Sequence, residues 1–340
     1  MSLASGAFMK TLLALVPMVF FALFSVVVHS EFTPRGIIMI DKRGSLVRFF
    51  NPITFEEISN LAIDGTPHEL ALSPDRNTAY VPNYGDGVYG NNPNPGHSIA
   101  VIDLNTRQVR NTIDISPYRA PHGIDVDGNG ILYVSCDLSR TLLVIDPSTL
   151  AVTAAIDILG TGHWVSVLPD GSKAYVANKN DKLFVSVIDL RQQQIIKEIP
   201  MPNGTQGIAV SPDGRFVLAM DMSEPRIRKI DTATDTAVED IVIADNKGGA
   251  WDAKYSPDGQ WVVSVNARER TANVYQGDLK SSRTTLSVGS QPFGIEFTPD
   301  SRTVLVSNHG DGSVSVIDLA DNKVTKTFTA GTGIETLAFY

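Results

Sequence analysis

The sequence predicts an all-β fold, a seven-bladed β-propeller whose last blade combines strands from near both ends of the chain. Three observations carry this: a unit of four short alternating strands, its return at a nearly constant spacing, and a last copy that stops after one strand. The unit is clearest from Phe293 to Thr329. Ile295 and Phe297 alternate in a first strand, Pro299-Asp300 turns, and Val304 to Ser307 form a second strand ending at Asn308. Gly310-Asp311-Gly312 turns again, Val314 to Ile317 form the third strand, and Lys323 to Phe328 the fourth. Period-two alternation bounded by Gly, Pro, Asn and Asp marks strands, and four per repeat of roughly 40–45 residues mark a propeller blade. One such sheet cannot bury both its faces, whereas copies stacked around an axis can.

Aligned on the residue two before the first apolar position, the copies open at His68, His122, His163, Gln206, Trp251, Phe293 and Glu335, with spacings of 54, 41, 43, 45, 42 and 42. The seventh opening is followed by one strand before Tyr340. The three strands it lacks are read at Gly36–Ile40, Leu46–Phe50 and Phe55–Ile63. Pairing the two ends in one sheet closes the ring and hides two strand edges.

Before this region, Thr11 to Val28 is an apolar run of 18 residues interrupted by Pro17, with Lys10 ahead of it. Residues 1–30 read as an export signal cleaved after Ser30, or as an uncleaved membrane anchor, since 18 residues is the lower limit for spanning a bilayer. Either way the chain is expected to be exported, periplasmic or extracellular, with any membrane contact through this segment alone. Residues 31–340 are read as one domain, because each blade packs only on its neighbours. The net charge of −9 with scattered signs argues against a nucleic-acid backbone as partner. Cys136 is the single cysteine, which excludes an intramolecular disulfide and a thiolate metal cluster.

Tyr80-Val81-Pro82-Asn83, Tyr133-Val134-Ser135-Cys136 and Tyr175-Val176-Ala177-Asn178, with the turns Ser211-Pro212-Asp213-Gly214 and Ser256-Pro257-Asp258-Gly259, resemble the YVTN-repeat β-propellers over residues 36–340. That resemblance implies a bacterial envelope or surface-layer protein, related to the haem-binding propeller of nitrite reductase and to quinoprotein dehydrogenase subunits. No Cys-x-x-Cys-His occurs, so covalently attached c-type haem is excluded.

Strand direction assigns residues to faces. Strand-one openings and the turns after strand two share one face, and the Ser-Pro-Asp-Gly turns occupy the other. Five of the six histidines fall on the first: His68, His122 and His163 at openings, His309 after a second strand, and His97 in a loop. Around the ring Glu335, His68, His122, His163 and Gln206 make a polar arc, completed by Trp251 and Phe293. The insertion Tyr84–Gly96, read as a long loop, is expected to cover this face and bring His97 near the axis. Tyr84, Asp137, Lys179 and His309, each just past a second strand, project there as rim residues or ligand contacts.

Two readings of the arc stay open. In one, His68, His122, His163 and Glu335 hold a divalent cation such as Zn²⁺ or Mn²⁺. In the other, the histidines are corner residues bonding one blade to the next. Residues one and three past the openings, Glu69, Asp125, Trp164, Asp252, Lys254 and Glu296, are expected to line the channel. Two functions follow. The first is binding of a small molecule or envelope protein on the histidine face, through His68, Glu69, Tyr84, His97, His122, Asp137, His163, Gln206, Trp251, Phe293 and His309. The second is a metal-dependent lyase or lactone hydrolase in which His122 or Tyr84 moves the proton. Asp125 to Gly130 mimics the start of a calcium loop, but Cys136 stands where the twelfth-position Glu belongs, so it reads as a strand turn.

Overall fold

The computed structural model describes residues 32–89, 91–179, 183–243, 248–280 and 283–340; the segment read as leader or anchor lies outside the described residues. Among them, 28 strands form seven four-stranded antiparallel sheets. The first six blades begin with Ala71–Leu72, Pro121–Val126, Gly162–Val167, Thr205–Val210, Asp252–Tyr255 and Pro292–Phe297. The seventh runs Ile334–Phe339, Ile37–Asp41, Leu46–Phe50, Glu57–Ala62 from the axis outward. Its closing pairs are Ile37 with Phe339, Met39 with Leu337 and Asp41 with Ile334. The amides of Arg35 and Gly36 donate to the Tyr340 carbonyl at 2.6 and 3.1 Å.

The apolar positions of each strand meet those of the next blade, giving seven clusters, one for each interface around the ring. Ile99, Val101 and Ile113 of the first blade pack on Leu132, Val134 and Cys136 of the second. Leu305 and Val314 of the sixth pack on Met39, Ile334 and Leu337 of the seventh. Serines on second strands add polar ties: Ser135 Oγ donates to the His163 carbonyl at 2.6 Å and Ser307 Oγ to the Glu335 carbonyl at 2.7 Å. The carbonyls reach in because Gly123 and Gly294 lie opposite them; a Cβ there would stand 2.4 Å from His163 O and 2.3 Å from Glu335 O.

The turns of the far face repeat. Ser73, Ser211, Ser256 and Thr298 each donate a hydroxyl to the aspartate two residues on, at 2.5, 2.6, 2.6 and 2.6 Å. The polar residues closing second strands cap turns in the same local way. Asn266 Oδ1, for example, accepts from the amides of Arg268 and Glu269 at 3.0 and 2.9 Å. Asp127 Oδ1 accepts from Asn129 and Ile131, which makes 125–130 a strand turn.

The insertion differs from its reading as a loop. Second and third strands of the first blade extend past their neighbours as Thr78–Val88 and Asn91–Asp103, pairing Gly85 with Pro95 and Asp86 with Asn94. The ladder continues with register shifts at Asn83/Gly85 and Asp86/Val88, the first of them where Gly85 takes φ +94°, a conformation glycine adopts without steric cost. It carries Tyr84 and Tyr89 to the axis but leaves His97 outside. His97 has a side chain 60% exposed and sits 3.3 Å from Asp114, so the expectation that it nears the axis is corrected.

Candidate functional site

Because every blade starts its first strand at the same height, the opening residues form one collar around the axis. Its imidazole part is tightly packed. The rings of His68 and His122 stand 4.0 Å apart and those of His122 and His163 4.1 Å apart. The extended hairpin covers them, Tyr84 edge-on to His68 and His122 at 5.3 and 5.2 Å, Tyr89 edge-on to His122 and His163 at 5.7 and 4.9 Å. All three histidines are buried.

Lysines flank the arc. Lys42 Nζ donates to His68 Nε2 at 2.5 Å and lies 3.5 Å from Glu335. Lys179 Nζ is 3.5 Å from His163 Nε2, over the rings of Tyr89 and Trp251. Beyond it, Trp251 and Phe293 stack at 4.5 Å with planes 4° apart, and His309 stacks on Phe293 at 4.8 Å. The collar therefore has an imidazole half and an aromatic half.

Burial sets the charge states. It holds His68, His122 and His163 well below the ordinary imidazole range, helped by Lys42 and Lys179 and by the histidines' own proximity. They are neutral bases at pH 7. Burial, with Lys42 nearby, brings Lys179 down to about 8, and burial brings His309 to about 4. It raises Glu69, through its neighbour Glu335 as well, and raises Glu335.

The hydrogen bonds are incomplete. His163 Nδ1 is 3.0 Å from the Gln206 carbonyl, the blade-to-blade tie expected of a corner histidine. His122 differs: neither ring nitrogen makes a hydrogen bond of normal geometry, with the His163 carbonyl on that side of the ring. Glu69 Oε1 is buried without a hydrogen bond, 3.4 Å from His68 Nδ1. His68, Glu69 and His122 each bring a ligand atom to within 4.8 Å of the others. His163 and Glu335, also read as ligands, stand beside this group, one tied to Gln206 and the other to Lys42.

The remaining candidates fall into place around it. Tyr84 is buried, and its hydroxyl donates to Asp137 at 2.7 Å. Burial and that carboxylate hold the phenol far above its usual range, so it is a poor proton donor or base. Gln206 contributes its carbonyl. Below the collar a cavity of about 290 Å³ follows the axis, lined by Glu69, Asp125, Trp164, Asp252 and Lys254 and reaching Pro212 and Tyr255 towards the far face. Glu296, expected on the same wall, pairs with Lys254. The sequence reading missed Lys42. It occupies the position just past a second strand that Tyr84, Asp137, Lys179 and His309 occupy in other blades, and that register was the signal for it.

Comparisons with known proteins agree on architecture. A chain of hydrazine synthase from Kuenenia stuttgartiensis superposes with a TM-score of 0.69 at 20% identity, over 82% of this chain and 93% of that one. An uncharacterized WD repeat-containing protein of Synechocystis sp. is 26% identical over 138 residues, 40% of this chain and 38% of the relative, so the chain matches well under half of that protein's length. The family pattern described as Cytochrome D1 heme domain matches residues 140–337, more than half of the sequence. On that match the chain belongs to the Cytochrome D1 heme domain family.

Proposed function

We propose that the protein is an exported binding propeller whose centre is the buried cluster at the axial mouth. There His68, Glu69 and His122 hold one first-row divalent cation, zinc or manganese, with an open position for a small molecule or a side chain of an envelope partner. The observation that carries this reading is the approach of those three ligand atoms to within 4.8 Å, two of them on neutral imidazoles. Ligands on one zinc ion stand at ~2.0–2.2 Å from it, so modest rotamer shifts bring the three into range. Lys42 Nζ lies beside His68 Nε2 and Glu335, where an ion bound to His68 would take its place. The Lys42 side chain is 16% exposed, so it reaches solvent and can swing aside. Export rests on the apolar run 11–28.

The family's description names a heme, but these residues do not make a seat for one. To hold a heme iron, His122 would need a ring nitrogen facing open space wide enough for a macrocycle, and its ring is enclosed by His68, His163 and two tyrosines. Both nitrogens of His68 and of His163 face protein groups. The lyase or lactone hydrolase reading gains no support from Tyr84, whose hydroxyl is committed to Asp137.

The test is metal analysis of protein purified without chelator, followed by calorimetric titration with Zn²⁺ and Mn²⁺. One ion per chain is expected, lost in His122→Ala with circular dichroism unchanged. Wild-type protein that neither retains nor binds an ion, or a variant that binds it as tightly, would overturn the assignment.

A further inference from the structure

The axial cavity below the cluster has a character of its own. Its walls are largely apolar, with Leu70, Ile208, Val210 and Leu337 among them. Three carboxylates interrupt the wall, and one is already satisfied, since Asp125 accepts the amides of Val126 and Val167 at 2.8 Å each. The other two face the axis from blades one and five, nearly opposite in the ring. Glu69 uses one oxygen for the Thr336 hydroxyl and leaves Oε1 buried with no hydrogen bond, in a residue 7% exposed. Asp252, 4% exposed, uses one oxygen for the Ala253 amide at 2.8 Å. The cation on the wall, Lys254, is paired with Glu296. Burial raises the Asp252 carboxyl to about 8, a rise that Lys254 and the Ala253 amide offset only in part.

We propose that this cavity is a second binding site, for a small organic ammonium ion with a short apolar tail, its charged nitrogen held between Glu69 and Asp252 and its tail among Leu70, Ile208, Val210 and Leu337. A charged nitrogen offers several hydrogen-bond donors to just the oxygens that lack them, and bonds to ionised partners are the strong ones. The half-buried ring of Trp164 on the wall adds a face that attracts cations. A bare metal ion has no use for the apolar wall, because it requires a shell of oxygen or nitrogen donors. An anion would meet two carboxylates. The volume of about 290 Å³ lies at the small end of ligand pockets, which limits the tail to a few carbons.

The inference goes beyond the metal reading and does not need it; the two share Glu69, so the experiment is run with chelator present. Calorimetric titration of the full chain compares n-butylammonium with 1-butanol, which has the same tail and no charge. Saturable one-to-one binding of the amine is expected, with the alcohol at least tenfold weaker. Asp252→Asn should weaken the amine about tenfold or more, the loss of one charged hydrogen bond, and His97→Ala, at an exposed position, should leave it unchanged. Equal binding of amine and alcohol, no saturable heat from the amine, or full affinity in Asp252→Asn would each overturn the proposal. If Asp252→Asn fails to fold, Glu69→Gln and the amine-to-alcohol ratio of the wild type decide the matter. Failure of the metal reading shows separately, as no ion bound without chelator.

Discussion

The two faces of the disc are built from the same strands and treat polar groups in opposite ways. On the Ser-Pro-Asp-Gly face one hydroxyl-to-carboxylate bond recurs from blade to blade, as at Ser211 and Ser256, and its groups are satisfied locally. On the histidine face the opening residues change around the ring from imidazoles to stacked aromatics, and buried atoms of His122, Glu69, Gln206, His309 and Glu335 lack hydrogen bonds. Each unsatisfied buried group costs about 1–3 kcal/mol. A single buried Val, Leu or Ile contributes about 1.5–3 kcal/mol, and the seven apolar interfaces contain dozens, so the fold tolerates the deficit. What repeats holds the ring together; what breaks the repeat is free to serve binding.

The largest break removes what both faces share. Deleting residues 334–340 strips the innermost strand from the seventh blade, and cooperative thermal unfolding should be lost, with both metal and amine binding. A truncation that melts like the full chain would mean that ring closure contributes nothing.

Asp252→Asn should sharpen the contrast with the opposite sign. The folded carboxyl titrates at about 8 and an unfolded one near 3.8, so the folded state binds more protons between those values. Wild-type stability therefore falls as pH rises through that window, and the variant escapes the fall. Melting curves should show Asp252→Asn more stable by on the order of a few kcal/mol at pH 8, and matched to the wild type at pH 4. A constant difference across pH would remove Asp252 as the cause.

On the far face Ser256→Ala should cost about 1–2 kcal/mol, because Ser256 Oγ both donates to Asp258 and accepts from the Trp261 amide, and it should leave metal and amine affinity alone. Chemical denaturation measures the first, calorimetry the second. The smallest effect belongs to His97→Ala. Its exposed partner Asp114 and its own exposure predict no measurable change in melting or in ligand binding. A loss of affinity there would return His97 to the mouth.

How much of this was legible in the sequence follows from which features repeat. The spacing of openings fixed the seven blades and the shared sheet of residues 37–62 and 334–339, and strand phase put His68, His122 and His163 on one face. Phase also placed Glu69, Trp164 and Asp252 on the channel wall. Side-chain direction at the openings was not legible, because alternation does not hold where the chain is still turning, and there the imidazoles turn towards one another. The hairpin was hidden by composition: Gly85 and Pro93 look like loop residues, yet the two long strands stay paired across the irregularity at Gly85. Register placed Lys179 on this face as a rim residue or a ligand contact, and its ammonium is drawn in over Tyr89 and Trp251.

The seam of the seventh blade also sets an order in time. Strands 37–62 leave the ribosome early and wait for a partner separated from them by nearly the whole chain. Until residues 334–339 arrive, the other six blades form at most an open arc with a bare edge at each end. Contacts between residues this distant form slowly, since a long loop must close before they return anything. A chain synthesised in this order leaves its ring unlatched until residues 334–339 emerge, and a handful of residues then locks it.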